Sequence, residues 1–399
     1  MLLEFIQQHR LLRIFNSLMY SLKLMQCPRG RASIILTARS LSNPIQSCMV
    51  VACLRWVMLH VLPGMASVPG QILRTVTCYS TWWMKNSVVV RVLSMARDCL
   101  QWSRSMNRFL EKMGFKPVDR VLITHIDDMG FCHAANVATE ACLSGGSASC
   151  ASVIVNAGWF LEAAHMAQHN QSWDIGVHLT LTAEYPLYRW PALSSRDAGT
   201  GLVDRQGYLW HTREDAIRHV TKEAARGEMR AQIDTALASG IDVTHIDTHM
   251  GSVIHPKFLP TYLSLAAEYE VPAFLPRITR ARLQALSQGD MADAYLQALE
   301  AIDASKVPML DEIIIETLIA KPDKVDFYQG LIDAIEPGLT HLLFHPAKDS
   351  EELSAIADTH VSRHADYMAF RGPVLREYAE QQGIRIIGYR ELRDVMRGE

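Results

Sequence analysis

After Lys116-Pro117 the chain settles into an alternation that leaves few folds open. Short apolar or β-branched runs recur at 121–126, 151–155, 175–181, 243–246, 271–274, 312–319, 340–344 and 384–387. Longer segments with helical spacing lie among them, at 135–143, 160–168, 212–238, 257–268 and 361–382. Strands that alternate with helices call for a parallel sheet with the helices packed outside it. Seven or eight such units over roughly 280 residues match a closed β/α barrel. The fold expected is therefore an α/β barrel of seven or eight strands, with some distortion. A doubly wound open sheet is the alternative, but its Gly-rich phosphate loop is absent. In a barrel the chemistry sits at the carboxyl ends of the strands, and four of these predicted strands end on acid–base or ligand-type side chains.

The first is Val121-Leu-Ile-Thr-His-Ile-Asp-Asp-Met-Gly130. Adjacent carboxylates repel each other unless a cation or distinct hydrogen bonds separate them, although Asp-Asp before Met-Gly also suits a solvated turn. The second is Asp174-Ile-Gly-Val-His-Leu-Thr-Leu-Thr182, where strand alternation puts His178 on one face with Gly176 and Thr180. A lone histidine there is commonly a satisfied core residue. The third, Val243-Thr-His-Ile-Asp-Thr-His249, spaces His245, Asp247 and His249 at period 2. Three such groups make a poor core face without an ion or a polar network. The fourth is His341-Leu-Leu-Phe-His-Pro-Ala347, with His345 at a strand end before Pro346. A carboxylate with two imidazoles forms a borderline ligand set that leaves positions open for water and substrate. With a carboxylate base, a histidine acid and metal-activated water, that is the machinery of amide hydrolysis.

Composition matters here because it is uneven. Residues 1–107 carry twelve Lys/Arg and only Glu4 and Asp98 as acids, a net of +10, whereas 108–399 carry 27 basic and 40 acidic groups, a net of −13. Such a break marks a boundary near residue 105. The first segment also holds five of the eight cysteines and keeps no helical or strand period. Its most apolar run, 48–68, is interrupted by Arg55, His60 and Pro63-Gly64, unlike the nearly uncharged stretch of about 20 residues that spans a membrane. We expect residues 1–107 to be disordered or foreign to the native protein, with Met95 or Met106 a sensible start for the domain at 108–399. Cys132, Cys142 and Cys150 form neither a CxxC pair nor a disulfide framework.

The ordered set Ile-Asp-Asp-Met-Gly, Gly-Val-His-Leu-Thr-Leu-Thr, Thr-His-Ile-Asp-Thr-His and Phe-His-Pro-Ala resembles the YdjC-like carbohydrate deacetylases, relatives of the polysaccharide deacetylases. The resemblance runs from about Arg120 to Arg393 and leaves residues 1–107 out. It implies removal of an acetyl group from an N-acetylated sugar, such as a chito-oligosaccharide. By position, it makes Asp128, His178 and His249 the ligands of one divalent metal ion, magnesium or zinc. It makes Asp127 the general base and His345 the general acid. Asp247 becomes a residue that orients a ligand, His245 a support for the strand, and Asn136 a structural or substrate contact. Many relatives have Asn-Ala where this chain has His125-Ile126, and further histidines where Met250 follows His249. Trp159, Tyr185, Tyr188 and Trp190 are candidates either for stacking on a sugar ring or for the core.

The expected partner is a small carbohydrate, with no nucleic acid and no membrane. A cytoplasmic location is expected, and a homodimer by family analogy. Two other classes fit parts of the pattern. A non-catalytic sugar- or metal-binding module would leave Asp127 or His345 pointing away from the metal. A non-haem iron oxygenase would use His245-x-Asp247 with a later histidine, but on antiparallel strands.

Overall fold

The computed structural model describes residues 21–26, 32–37, 107–285, 292–300, 302, 306–318 and 321–399. The chain divides into two units, Met1–Cys99 and Leu100–Glu399. In the first, Ser21–Gln26 pairs antiparallel with Ala32–Thr37; the other residues up to Met106, on which the expectation for 1–107 falls, lie outside the described residues. Among the described residues, no helix is long and apolar enough to cross a membrane.

In the second unit the alternation becomes a parallel sheet. Its strands are β1 (Arg120–Met129), β2 (Cys150–Val153), β3 (Ile175–Leu179), β4 (Val243–Thr248), β5 (Glu312–Ile315), β6 (Gly338–Phe344) and β7 (Ile384–Ile386). The order is β4-β3-β2-β1-β6-β5. β6 pairs with β1 along 120–126. β2 and β7 both pair with β1 as well, β7 at 120–122 and β2 from His125 onward. Between β4 and β5 the extended segment 271–276 forms parallel bridges, Ile246 to Ala273 and Pro276 to Leu310. It closes the sheet into a distorted β/α barrel, as the alternation predicts.

The helices are α1 (Arg108–Lys112), α2 (His133–Ser144), α3 (Phe160–His169), α4 (Arg213–His219), α5 (Lys222–Ala238), α6 (Leu259–Glu268), α7 (Arg280–Ala285), α8 (Ala292–Glu300), α9 (Val325–Asp333), α10 (Glu351–Ile356), α11 (His360–Phe370), α12 (Val374–Gln381) and α13 (Tyr389–Arg397). Two predicted helices are each broken in two. Thr221 turns out of the first as an N-cap, its hydroxyl accepting from the Ala224 amide, because a capping side chain satisfies an otherwise orphaned donor. The other breaks at Arg371-Gly-Pro373, where the proline cannot continue a helix. The predicted strand 312–319 ends at Ile315, and Leu318 adopts a left-handed backbone, φ 57°.

The barrel interior is unusually polar for its kind. Small β/α barrels commonly fill it with layers of Val, Ile and Leu. Here His125, Ser152, His178, His245 and Asp247 meet one another across neighbouring strands. Gly176 makes the space: a Cβ there would stand 2.5 Å from the His245 ring.

Candidate active site

The site begins with a backbone irregularity. In an unbroken strand Asp127 and Asp128 would face opposite sides. At the carboxyl end of β1, however, Asp128 takes a left-handed conformation, φ 69°, and the β1–β2 register shifts between Ile126 and Met129. Aspartate tolerates that region better than most residues. Both carboxylates consequently approach His178 Nε2, Asp128 Oδ1 at 3.5 Å and Asp127 Oδ2 at 3.8 Å. Asn136 anchors this turn, its amide oxygen accepting from the Gly130 amide and its Nδ2 donating to Trp159 O and Glu162, so the structural role is the one it takes.

β3 supplies His178 and the turn after β4 supplies His249. Asp128 Oδ1 stands 3.3 Å from His249 Nδ1. The outward nitrogen of each ring is already committed. His178 Nδ1 bonds to Asp247 Oδ1 at 2.9 Å and lies 3.0 Å from Ser152 Oγ, while His249 Nε2 meets Glu184 Oε2 at 2.9 Å. A carboxylate behind each imidazole fixes its tautomer and aims the other nitrogen inward. The second oxygen of Asp128 accepts from Arg363 Nη1 at 2.8 Å. Arg363 also donates to Tyr185 Oη and lies over the Phe131 ring.

This leaves Asp128 Oδ1 buried and without a hydrogen-bond partner. An unpaired buried carboxylate oxygen is costly, and a cation removes the cost. Asp128, His178 and His249 each offer one atom within 4.8 Å of the others. The 3.3 and 3.5 Å separations match neighbouring ligands about 3.0–3.6 Å apart in a shell with bonds near 2.0–2.2 Å. The residues present therefore fit a small divalent ion.

Electrostatics agree. Burial works against ionised Asp128, yet Arg363 and His249 beside it hold its carboxyl well below the usual range. Burial likewise opposes a charged His249, but Glu184 and Asp128 lift it to about 10. Carboxylates that favour a proton at this nitrogen favour a cation in its place. Asp247 is drawn down against burial by His178, His125 and His245.

On the other side of the pair, Asp127 Oδ1 bonds to His125 Nδ1 at 2.8 Å, and Oδ2 lies 3.8 Å from His345 Nε2. Burial lowers His345, outweighing Asp128 and Asp127. Neither Asp127 nor His345 turns away from the cluster, the geometry a plain binding module would have shown. The parallel sheet is likewise not the antiparallel scaffold of the oxygenase alternative. Of the four aromatics, Trp190 is buried and donates to Thr182 O, and Tyr188 bridges Phe131 O and the Gly158 amide. Tyr185 packs on Phe131, and Trp159 Nε1 donates to Glu352.

Glu184, Arg363, Ser152 and the pairing of His125 with Asp127 escaped the sequence reading. Glu184 lies six residues past His178 and its acid alone could have flagged it. Arg363 comes from α11, 235 residues after Asp128, and no local pattern marks it.

The chain's similarities bear on this geometry. Residues 121–381 match the family described as YdjC-like protein. A carbohydrate deacetylase of Thermus thermophilus is 32% identical over 269 residues, covering 67% of this chain and 92% of the relative. One from Brevibacillus brevis is 25% identical, covering 68% and 99%. A crystal structure from Enterococcus faecalis V583, of a protein named for cellobiose-phosphate cleavage, superposes with a TM-score of 0.57 at 25% identity, covering 69% of this chain and 99% of that one.

Proposed function

The chain belongs to the YdjC-like family, and from that premise we propose that it is a carbohydrate deacetylase, hydrolysing the N-acetyl group of an acetylated amino sugar or oligosaccharide. The observation that carries this reading is the buried, unpartnered Oδ1 of Asp128 facing His178 and His249, with Asp127 and His345 beside it.

Asp128, His178 and His249 would hold one divalent ion, and two imidazoles favour zinc over magnesium, which prefers an all-oxygen shell. Such an ion makes water a usable nucleophile near neutral pH and polarises the acetyl carbonyl. Asp127 Oδ2 is the base. It takes a proton from the attacking water as the new C–O bond forms. His345 is the acid. Its Nε2 passes a proton to the amide nitrogen as the C–N bond breaks, releasing acetate and a free amine. Because these two groups stand 3.8 Å apart, the proton accepted by one can replace the proton given by the other. Arg363 confines Asp128 to a single free oxygen, and Asp247 and Glu184 aim the two imidazoles.

The test is acetate release from N-acetylglucosamine and chito-oligosaccharides, with a chelator and with zinc, magnesium, manganese or cobalt restored. Release that disappears with the chelator and returns with metal is expected. Sugar binding without release under every metal would favour the binding module.

A further inference from the structure

The barrel interior holds four polar groups that the hydrolysis above does not use: His125, His245, Thr244 and Asp174, all buried. They are joined end to end. Asp127 Oδ1 meets His125 Nδ1 at 2.8 Å, and His125 Nε2 meets His245 Nε2 at 2.8 Å. His245 Nδ1 meets Thr244 Oγ1 at 2.9 Å, and that hydroxyl is hydrogen-bonded to Asp174 Oδ1. Asp174 directly precedes β3, whose far end carries His178. The chain of bonds therefore runs from the catalytic rim to the amino end of the barrel.

Counting protons constrains this chain. Each of its four links needs one proton, and a nitrogen-to-nitrogen link cannot hold two. Two neutral imidazoles and one hydroxyl supply three. The fourth resides on a carboxyl group or makes one ring doubly protonated, so the chain carries one proton beyond its neutral members. Burial and the neighbouring His125 keep that proton off His245. Asp247 Oδ2 lies 3.5 Å from His125 Nε2. Burial pushes the Asp174 carboxyl up to about 6, against the bonds it accepts from Thr244 and the Arg390 amide. The path is also built in shape: Gly176 leaves room for the His245 ring, and Tyr389 stacks on it at 4.0 Å and 15°.

We propose that His125, His245, Thr244 and Asp174 are positioning residues, a relay whose shared proton keeps His125 a donor to Asp127 Oδ1 and leaves Oδ2 turned toward His345. The relay rests on Asp127 being the base of the proposed hydrolysis. It acts through Asp127 and touches no substrate.

Thr244→Val tests it, because the change removes one hydroxyl far from the rim and keeps the β-branched shape. The expected result is a fall in kcat of about ten- to hundredfold, the range for groups that orient a site from outside it. KM and bound metal should stay unchanged, and Thr244→Ser should restore turnover. Proton NMR of the metal-free protein gives a readout independent of activity. The wild type should show downfield imidazole N–H resonances that shift or vanish in Thr244→Val. Asp174→Asn, which keeps the bond from the Arg390 amide, serves the same measurement if Thr244→Val does not fold. Wild-type turnover in Thr244→Val, or no rescue by Thr244→Ser, overturns the relay. If the wild type releases no acetate, the function fails on its own account. The relay then falls only if the resonances are missing or indifferent to Thr244→Val or Asp174→Asn.

Discussion

Of the clusters among the described residues that offer three possible metal ligands, two invite comparison: Asp128, His178 and His249 in one, Glu316, His345 and Asp366 in the other. In the second, a cation is already in place. Lys324, fully buried, donates to Ser362 and Asp366 at 2.7 Å each and lies 3.0 Å from Glu316. The remaining carboxylate oxygens accept from the His345 and Leu318 amides, and Tyr328 adds its hydroxyl to Asp366. In the first cluster, among the described residues, Arg363 takes Oδ2 of Asp128, while Oδ1 faces His249 Nδ1 at 3.3 Å and His178 Nε2 at 3.5 Å without a hydrogen bond. What separates the two clusters is therefore the unpartnered atom, since clustering alone is common to both. The second cluster serves the first by holding the backbone at His345.

The contrast breaks most directly at Asp128. Asp128→Ala should remove both bound metal and activity, a loss in turnover larger than the roughly 10²–10⁴-fold of a missing general base, because the ion is lost together with its chemistry. Metal content per chain and acetate release check it, and retention of stoichiometric metal would transfer the ion elsewhere.

Asp127→Asn should keep the metal while kcat falls about 10²–10⁴-fold, the usual contribution of a general base. His345→Ala should behave alike. A wild-type rate in Asp127→Asn would move the base assignment to Asp247.

Lys324→Met should do the reverse of Asp128→Ala. It strands two buried carboxyl groups, and removing one partner of such a pair costs about 3–5 kcal/mol. Chemical denaturation should show that loss with metal stoichiometry unchanged. Recovery of stability on adding metal would show that the two clusters differ less than their geometry implies.

A smaller effect is expected at Glu184. Glu184→Gln still accepts a bond from His249 but removes the charge behind the ring, so metal affinity should fall about tenfold, measured by competition with a chelator. The smallest effect concerns the basic segment. A chain beginning at Met106 retains Asn107, whose side chain caps α1 and donates to Met309 O. It should match the full chain in melting temperature and turnover, and a loss of either would make the segment part of the working protein.

Much of this was readable in the residues. The seven strands and the closing segment all fall on runs predicted from hydrophobic periodicity, because a strand buried on both faces must be apolar along its length wherever no ligand intervenes. The candidate site was readable to the extent that its side chains sit at strand ends in ordered motifs. The breaks at Thr221 and Pro373 were missed since caps compete with a continuing helical period over only one or two residues.

By itself, then, the sequence determined the alternation of strands and helices, the rim on which Asp127, Asp128, His178 and His345 stand, and the family to which their order belongs. Only the tertiary structure decided which of those groups meet and through which atoms. Period 2 places His245, Asp247 and His249 on one face, but β4 ends at Thr248, so His249 swings toward Asp128 while His245 stays inside against His125. Arg363 and Glu184 reach the same few ångströms from separate elements. A hydrogen bond depends on separation in space, and barrel closure brings together residues whose distance along the chain carries no sign of the contact.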